Sequence, residues 1–268
     1  MRATPDRIIL RPGDRASAAY VRLWDAAFGG RVRYVPGQQR LALALFDGLP
    51  DDVKLRSSPT QRSERIRLRL AGQLSVPRHA DPPVAHNVVK SVRVTFAIDW
   101  LRECWDPVVV LCMRHPLDVL ASRLTVHALA AGRPADPVMR QYAMEEFGVG
   151  VPEREDSVTW AAWATGLMMS AVDRARFGDP PPVIADHERI CADPVGELRA
   201  LTETVGLEWS PDVEKFVVES NRPGTGYELT RVAADQPGKW KTVLTRDEAA
   251  RAIEALAPFP VAERYELA

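Results

Sequence analysis

The chain has 268 residues, of which 46% are hydrophobic and 26% charged, with a formal net charge of -1. That length can bury a core needing no disulfide or metal staple, and the near-balanced charge leaves no electrostatic footprint for a nucleic-acid partner. Cys104, Cys112 and Cys191 share no metal-ligand spacing; their odd number fits a reducing compartment, and they read as buried apolar fillers.

The N-terminal MRATPDRIIL has no apolar stretch of signal-peptide length. The longest apolar run, residues 108–113, is far below the ~20 residues that span a bilayer, so a cytoplasmic protein with no membrane partner is expected. Residues 1–50 mix short apolar stretches with the turn pairs Pro12-Gly13, Gly29-Gly30 and Pro36-Gly37, and apolar spacing predicts a helix over 17–28. Residues 51–83 are polar and basic: Arg62, Arg65, Arg67 and Arg69 read as a solvated helix face, and Pro77, Pro82 and Pro83 end the segment.

Val88-Val89-Lys90 suggests a buried strand end, followed by a helical pattern through Trp100, Leu101 and Trp105. Residues 108–113 form the clearest strand, a continuous apolar run of the kind found in parallel sheets covered on both faces. His115-Pro116 breaks it, and residues 117–129 carry helical spacing with Pro116 near the first turn. Residues 131–156, rich in Pro, Gly and charge, predict a long loop of the type that borders a cleft, before a helix over 160–172. Pro182-Val183-Ile184 is a second strand; Asp193-Pro194 opens a helix over 195–205, which Gly206 closes. Strand and helix alternate without a fixed-period repeat. The expectation is an α/β fold, doubly wound around a mostly parallel sheet, in one domain with a divergent, largely helical or irregular part (1–84) and a motif-bearing part (85–268).

Arg114 falls at the carboxyl end of a predicted parallel strand, where open α/β sheets bind ligands. The helix start after Pro116 offers free backbone N–H groups, and a guanidinium fork matches phosphate or sulfate oxygens. Ser122, on the helix face shared with Asp118, adds a hydroxyl. The plainer alternative is a surface arginine and an ordinary helix serine.

Other residues carry less. Most of the seven tryptophans read as core or cleft packing, and His79, His115 and His127 form no ligand-spaced cluster, so no metal is expected. Glu145, Glu146, Glu153, Glu155 and Asp156 read as solvated loop acids rather than a glycosidase pair. No Gly-x-Ser-x-Gly elbow, Gly-x-Gly-x-x-Gly fingerprint or Gly-Lys-Ser/Thr loop is present, which removes serine hydrolase, dinucleotide oxidoreductase and ordinary nucleotide hydrolase readings.

The run Arg114-His115-Pro116-Leu117-Asp118-Val119-Leu120-Ala121-Ser122 resembles the second donor motif of bacterial-type sulfotransferases, in which an Arg and a Ser eight residues on hold the 3′-phosphate of 3′-phosphoadenosine 5′-phosphosulfate. Asp186-His187-Glu188-Arg189 followed by Asp193-Pro194-Val195-Gly196-Glu197-Leu198 is similar to the family's next segment and implies His187 near the nucleotide. Gly238-Lys239-Trp240-Lys241 with Leu244-Thr245 is similar to the segment that closes over the donor, which assigns Lys239, Trp240 and Lys241 to the nucleotide. Lys90-Ser91 resembles the strand-end lysine that polarises the transferring group. The resemblance spans about residues 85–258. It implies a nucleotide-hydrolase-like α/β fold and sulfuryl transfer, without a metal, to a hydroxyl or amine of a small-molecule or carbohydrate acceptor.

The departures define a second expectation. The family's Pro-x-Ser-Gly-Thr-Thr-Trp phosphate loop has no counterpart; Arg11-Pro12-Gly13-Asp14-Arg15-Ala16-Ser17 lacks its core, and Asp14 would repel a phosphate. Lys90-Ser91-Val92-Arg93 lacks the His that many relatives place after the lysine. Lys90 and Arg93 are thus the candidate catalytic cations and the general base is unassigned, an arginine being no neutral base. Before Gly-x-Trp stand Ala233, Ala234 and Asp235 in place of basic residues, with Arg231 the nearest cation. Losing about three charge-assisted hydrogen bonds at ~2 kcal/mol each amounts to ~6 kcal/mol, or ~10⁴ in donor affinity. Either Met1 is not the true start, with the first strand and loop missing, or the chain is a non-catalytic binding module or remnant.

Overall fold

The computed structural model describes residues 9–16, 18–29, 61–74, 86–91, 94–126, 137–154, 156–224 and 230–267. The chain divides into two compact units, one of residues 15–91 and one of residues 1–14 with 92–268.

The 15–91 unit contains α1 (Ala18–Phe28) and α2 (Arg62–Leu74). The expected helix over 17–28 is thus present as α1. Trp24 is buried on it, edge-on to Tyr20 at 6.0 Å and stacked on Phe28 at 5.5 Å, the contacts that i,i+4 spacing provides. On α2, Arg62, Arg65 and Arg67 are exposed, while the buried Glu64 turns back to accept the Gln61 N–H at 2.9 Å. Residues 86–91 are exposed and form no strand, which corrects the strand end expected at 88–90. Two valines beside a lysine give too short a pattern to fix pairing without a partner strand.

The larger unit runs α3 (Ile98–Trp105), β1 (Val110–Met113), α4 (Pro116–Val126), α5 (Pro137–Phe147), α6 (Ser157–Ala175), β2 (Val183–Asp186), α7 (His187–Ala192), α8 (Pro194–Thr204), α9 (Pro211–Ser220), a 3₁₀ turn (Ala233–Asp235), α10 (Trp240–Val243), α11 (Arg246–Leu256) and α12 (Pro260–Arg264). β1 and β2 pair in parallel, Val110 opposite Val183 and Met113 opposite Asp186. They form the two-stranded sheet of the described residues, so the fold is mixed helix and parallel sheet. Leu111 and Met113 are buried against Ile98 and Ala175, whereas Val110 and Cys112 are exposed. Among the described residues, the expected coverage of the first strand on both faces is not seen: the run is uniformly apolar, but only the Leu111 and Met113 face is packed.

The nineteen-residue α6 is the scaffold. The Asp156 carboxylate caps it, accepting the Val158 and Thr159 N–H groups at 3.0 and 3.1 Å. One side of α6 packs with α4 and α11 around Leu117, Leu120, Ala161 and Leu256; another packs Trp163 and Leu167 against Phe259 and Val261. Asp156 is therefore a structural cap rather than a solvated acid.

Within the expected 131–156 loop lies α5. Pro137 starts the helix, Met139, Tyr142 and Ala143 are buried at helical spacing, and Gly148 follows at φ +67°. Glu146 on α5 pairs with Arg174 of α6 and, at 2.8 Å, with Arg11, and Glu145 meets Arg11 at 2.9 Å. Charges that read as solvated thus tie three segments together. Of the three cysteines expected to be buried, Cys191 is, while Cys104 and Cys112 are exposed. No helix among the described residues is long and apolar enough to cross a membrane.

Candidate functional site

Parallel pairing of β1 with β2 brings two residues to one sheet edge: Arg114 follows Met113, and His187 follows Asp186, its register partner. Each strand leads directly into a helix, α4 and α7, and the crevice at the carboxyl ends of the strands opens between them. A cavity of about 930 Å³ occupies this place, within the size range of nucleotide and cofactor pockets. Arg114, Ser122, His187 and Lys239 all line it, so four expected donor-site residues from three separate segments meet.

The cavity wall is divided. Ile190, Leu198, Phe216 and Val217 from α7, α8 and α9 supply an apolar side, and Arg114, Arg231 and Lys239 supply cations. Among the described residues, the one carboxylate lining it, Asp118, is 1% exposed and engaged: Oδ2 accepts the Gly238 N–H and Oδ1 the Trp240 N–H, each at 2.8 Å. The same carboxylate lies 4.0 Å from the Arg114 guanidinium, whose Nη2 also donates to the Gln236 carbonyl at 3.5 Å. Arg114 Nε is buried with no hydrogen-bond partner among the described residues. Among these residues, three cations on the wall against one carboxylate that is already engaged fit an anionic ligand.

Both imidazoles at the sheet edge are shifted. Burial pushes His187 below the ordinary histidine range, the Arg114 charge adding to it; burial likewise lowers His115. Burial raises the Cys191 thiol, which sits 3.6 Å from the His187 ring on the next turn of α7.

The helix start after Pro116 does not offer the free donors expected of it. The His115 N–H donates to Glu188 at 2.9 Å, the Leu117 N–H to His115 Nδ1 at 3.3 Å, and the Asp118 and Val119 N–H groups to the His115 carbonyl. These amides are engaged within the turn or by Glu188 and are not free for an anion in the cavity.

Trp240 and Lys241 lie on the same arm as Lys239 but do not line the cavity. Trp240 packs on the apolar cluster of α4, α6 and α11, its ring parallel to His115 at 6.2 Å, and the Lys241 ammonium sits over it at 5.7 Å. Trp240 therefore seats the arm, and Lys241 covers Trp240. Lys90 belongs to the 15–91 unit and is exposed there; Arg93 lies outside the described residues. Sequence reasoning gave Asp118 and Gln236 no role. Asp118 shares its helix face with Ser122 and reads as an ordinary helix acid, and Gln236 acts through its backbone carbonyl, so neither had a local signal.

Comparison of the chain with family models, with curated proteins and with solved structures returns no match.

Proposed function

We propose that this protein is a sulfotransferase, transferring a sulfuryl group from 3′-phosphoadenosine 5′-phosphosulfate to a hydroxyl or amine of a small-molecule or carbohydrate acceptor. The observation that carries this reading is the meeting of Arg114, Ser122, His187 and Lys239 around one cavity at the carboxyl edge of a parallel strand pair. With it goes, as proposal, the finer fold: a doubly wound, nucleotide-hydrolase-like sheet in a cytoplasmic enzyme.

The residues present fit the 3′-phosphate end of the nucleotide, because Arg114, Ser122 and Lys239 line one cavity and it has room for a nucleotide. The donor supplies an activated sulfuryl group. In this reading Arg114 grips the 3′-phosphate through its planar fork, Ser122 adds a hydroxyl donor, and Lys239 adds a point charge. The uncharged His187 imidazole binds by hydrogen bonding, and the apolar wall takes the base. Lys90 and Arg93 at the sulfuryl end rest on the resemblance alone.

A second reading, a nucleotide-binding module without turnover, is favoured by the sequence having no Pro-x-Ser-Gly-Thr-Thr-Trp-type phosphate loop. Calorimetric titration with adenosine 3′,5′-bisphosphate tests the feature that both readings share. Micromolar binding lost in Arg114→Ala is expected; no binding up to millimolar ligand overturns both. Release of the bisphosphate from the full donor in the presence of an acceptor panel then separates enzyme from module.

A further inference from the structure

We infer that Asp118 is the positioning residue of the anion site: one buried carboxylate holds two of the cations lining the cavity, Arg114 and the Lys239 of the facing arm, in place for a ligand. The inference rests on reading the cavity as an anion site and adds how that site is assembled. Asp118 accepts the Gly238 and Trp240 N–H groups at 2.8 Å each, and Lys239 lies between them. The same Oδ1 that accepts from Trp240 lies 4.0 Å from Arg114 Nη2, and the arm's Gln236 carbonyl accepts from that nitrogen at 3.5 Å. Nη2 is thus turned toward the arm, and the buried Nε stays unpartnered. Because one carboxylate anchors both elements, loosening either contact loosens both.

This assigns an effect opposite in sign to simple electrostatics. Asp118 is a negative charge lining the cavity, so if it acts on a bound anion by charge alone, Asp118→Asn strengthens anion binding. As a positioning residue it has the reverse effect. Asparagine keeps one acceptor oxygen, so it can accept from only one of the Gly238 and Trp240 N–H groups, its NH2 faces the other as a donor, and the charge facing the guanidinium is gone.

The test is calorimetric titration of wild type, Asp118→Asn and Gly238→Val with adenosine 3′,5′-bisphosphate and, separately, with inorganic pyrophosphate. Gly238 sits at φ +74°, and a Cβ placed there would meet no atom within 4 Å, so a β-branched residue strains the arm backbone while leaving the Asp118 charge intact. About ten-fold weaker binding in both variants is expected, the scale of one lost buried hydrogen bond. Faster hydrogen exchange at the Gly238 and Trp240 amides of Asp118→Asn should accompany it. Unchanged or tighter binding by Asp118→Asn overturns the inference, as does unchanged binding by Gly238→Val, which carries the test alone if Asp118→Asn does not fold. If pyrophosphate binds and the bisphosphate does not, the nucleotide reading fails, and the pyrophosphate affinities decide this one. If neither binds wild type, both fall.

Discussion

The Asp118 carboxylate accepts the Gly238 amide N–H at 2.8 Å, across 120 residues of chain. It joins two segments that lie far apart in sequence and both line the cavity. Removing the carboxylate in Asp118→Ala leaves the Gly238 and Trp240 N–H groups without an acceptor and Arg114 without its nearest counter-charge. At about 1–3 kcal/mol for each unsatisfied donor, and toward the lower end because both groups are only part-buried, a loss of about 2 kcal/mol or more in unfolding free energy is expected by urea denaturation. A loss below about 1 kcal/mol would show that solvent replaces the carboxylate easily.

Gly166 on α6 has no room for a methyl group. A Cβ there would lie 2.4 Å from Phe259 Cδ2, and the Phe259 ring, 1% exposed, is held edge-on by Trp163 at 5.8 Å and Phe147 at 6.5 Å. Gly166→Ala should therefore destabilise by about 1–3 kcal/mol through overpacking, despite the better helix propensity of alanine. A raised melting temperature would contradict the packing.

Asp156 makes two backbone hydrogen bonds at the start of α6, and its Oδ2 accepts from the Thr159 hydroxyl at 2.6 Å. Asp156→Ala is expected to cost about 1–2 kcal/mol, and Asp156→Asn much less, because asparagine is also a good helix cap. Paired thermal melts of the two variants measure the difference.

Stability should fall with acidification through the histidines. His115 and His187 are pushed by burial below the ordinary value of about 6.5, so between the folded and unfolded pKa the unfolded chain binds more protons. The native state is favoured above that window and loses ground as pH drops through it. Urea midpoints at about pH 7.5 and about pH 5.5 should differ less in His115→Gln/His187→Gln than in wild type.

Ligand linkage runs the other way at His187. An anion in the cavity favours the imidazolium, so binding takes up a proton and sulfate, a dianion throughout this range, should bind more tightly as pH falls below about 6.5. His187→Gln should flatten that dependence in a competition titration. A wild-type affinity independent of pH would place the anion away from this ring.

The sequence by itself determined the local elements whose signals are local. The apolar runs at residues 108–113 and 182–184 beside turn residues mark β1 and β2 to within two residues; Asp193-Pro194 and Gly206 mark the two ends of α8; and α1 and α6 follow from apolar spacing. The eight-residue interval runs from Arg114 at the end of β1 to Ser122 on α4, and both reach the cavity. Tertiary structure decided the rest. The α5 segment reads as loop because its polar and charged residues outweigh Met139, Tyr142 and Ala143 until Trp160 and Trp163 provide a surface for them. The helix-start amides after Pro116 read as free because nothing local reveals that Glu188 and the His115 ring and carbonyl will take them. Asp118 reads as an ordinary helix acid because its partners lie 120 and 122 residues away, and a hydrogen bond across such a distance leaves no periodicity in the sequence.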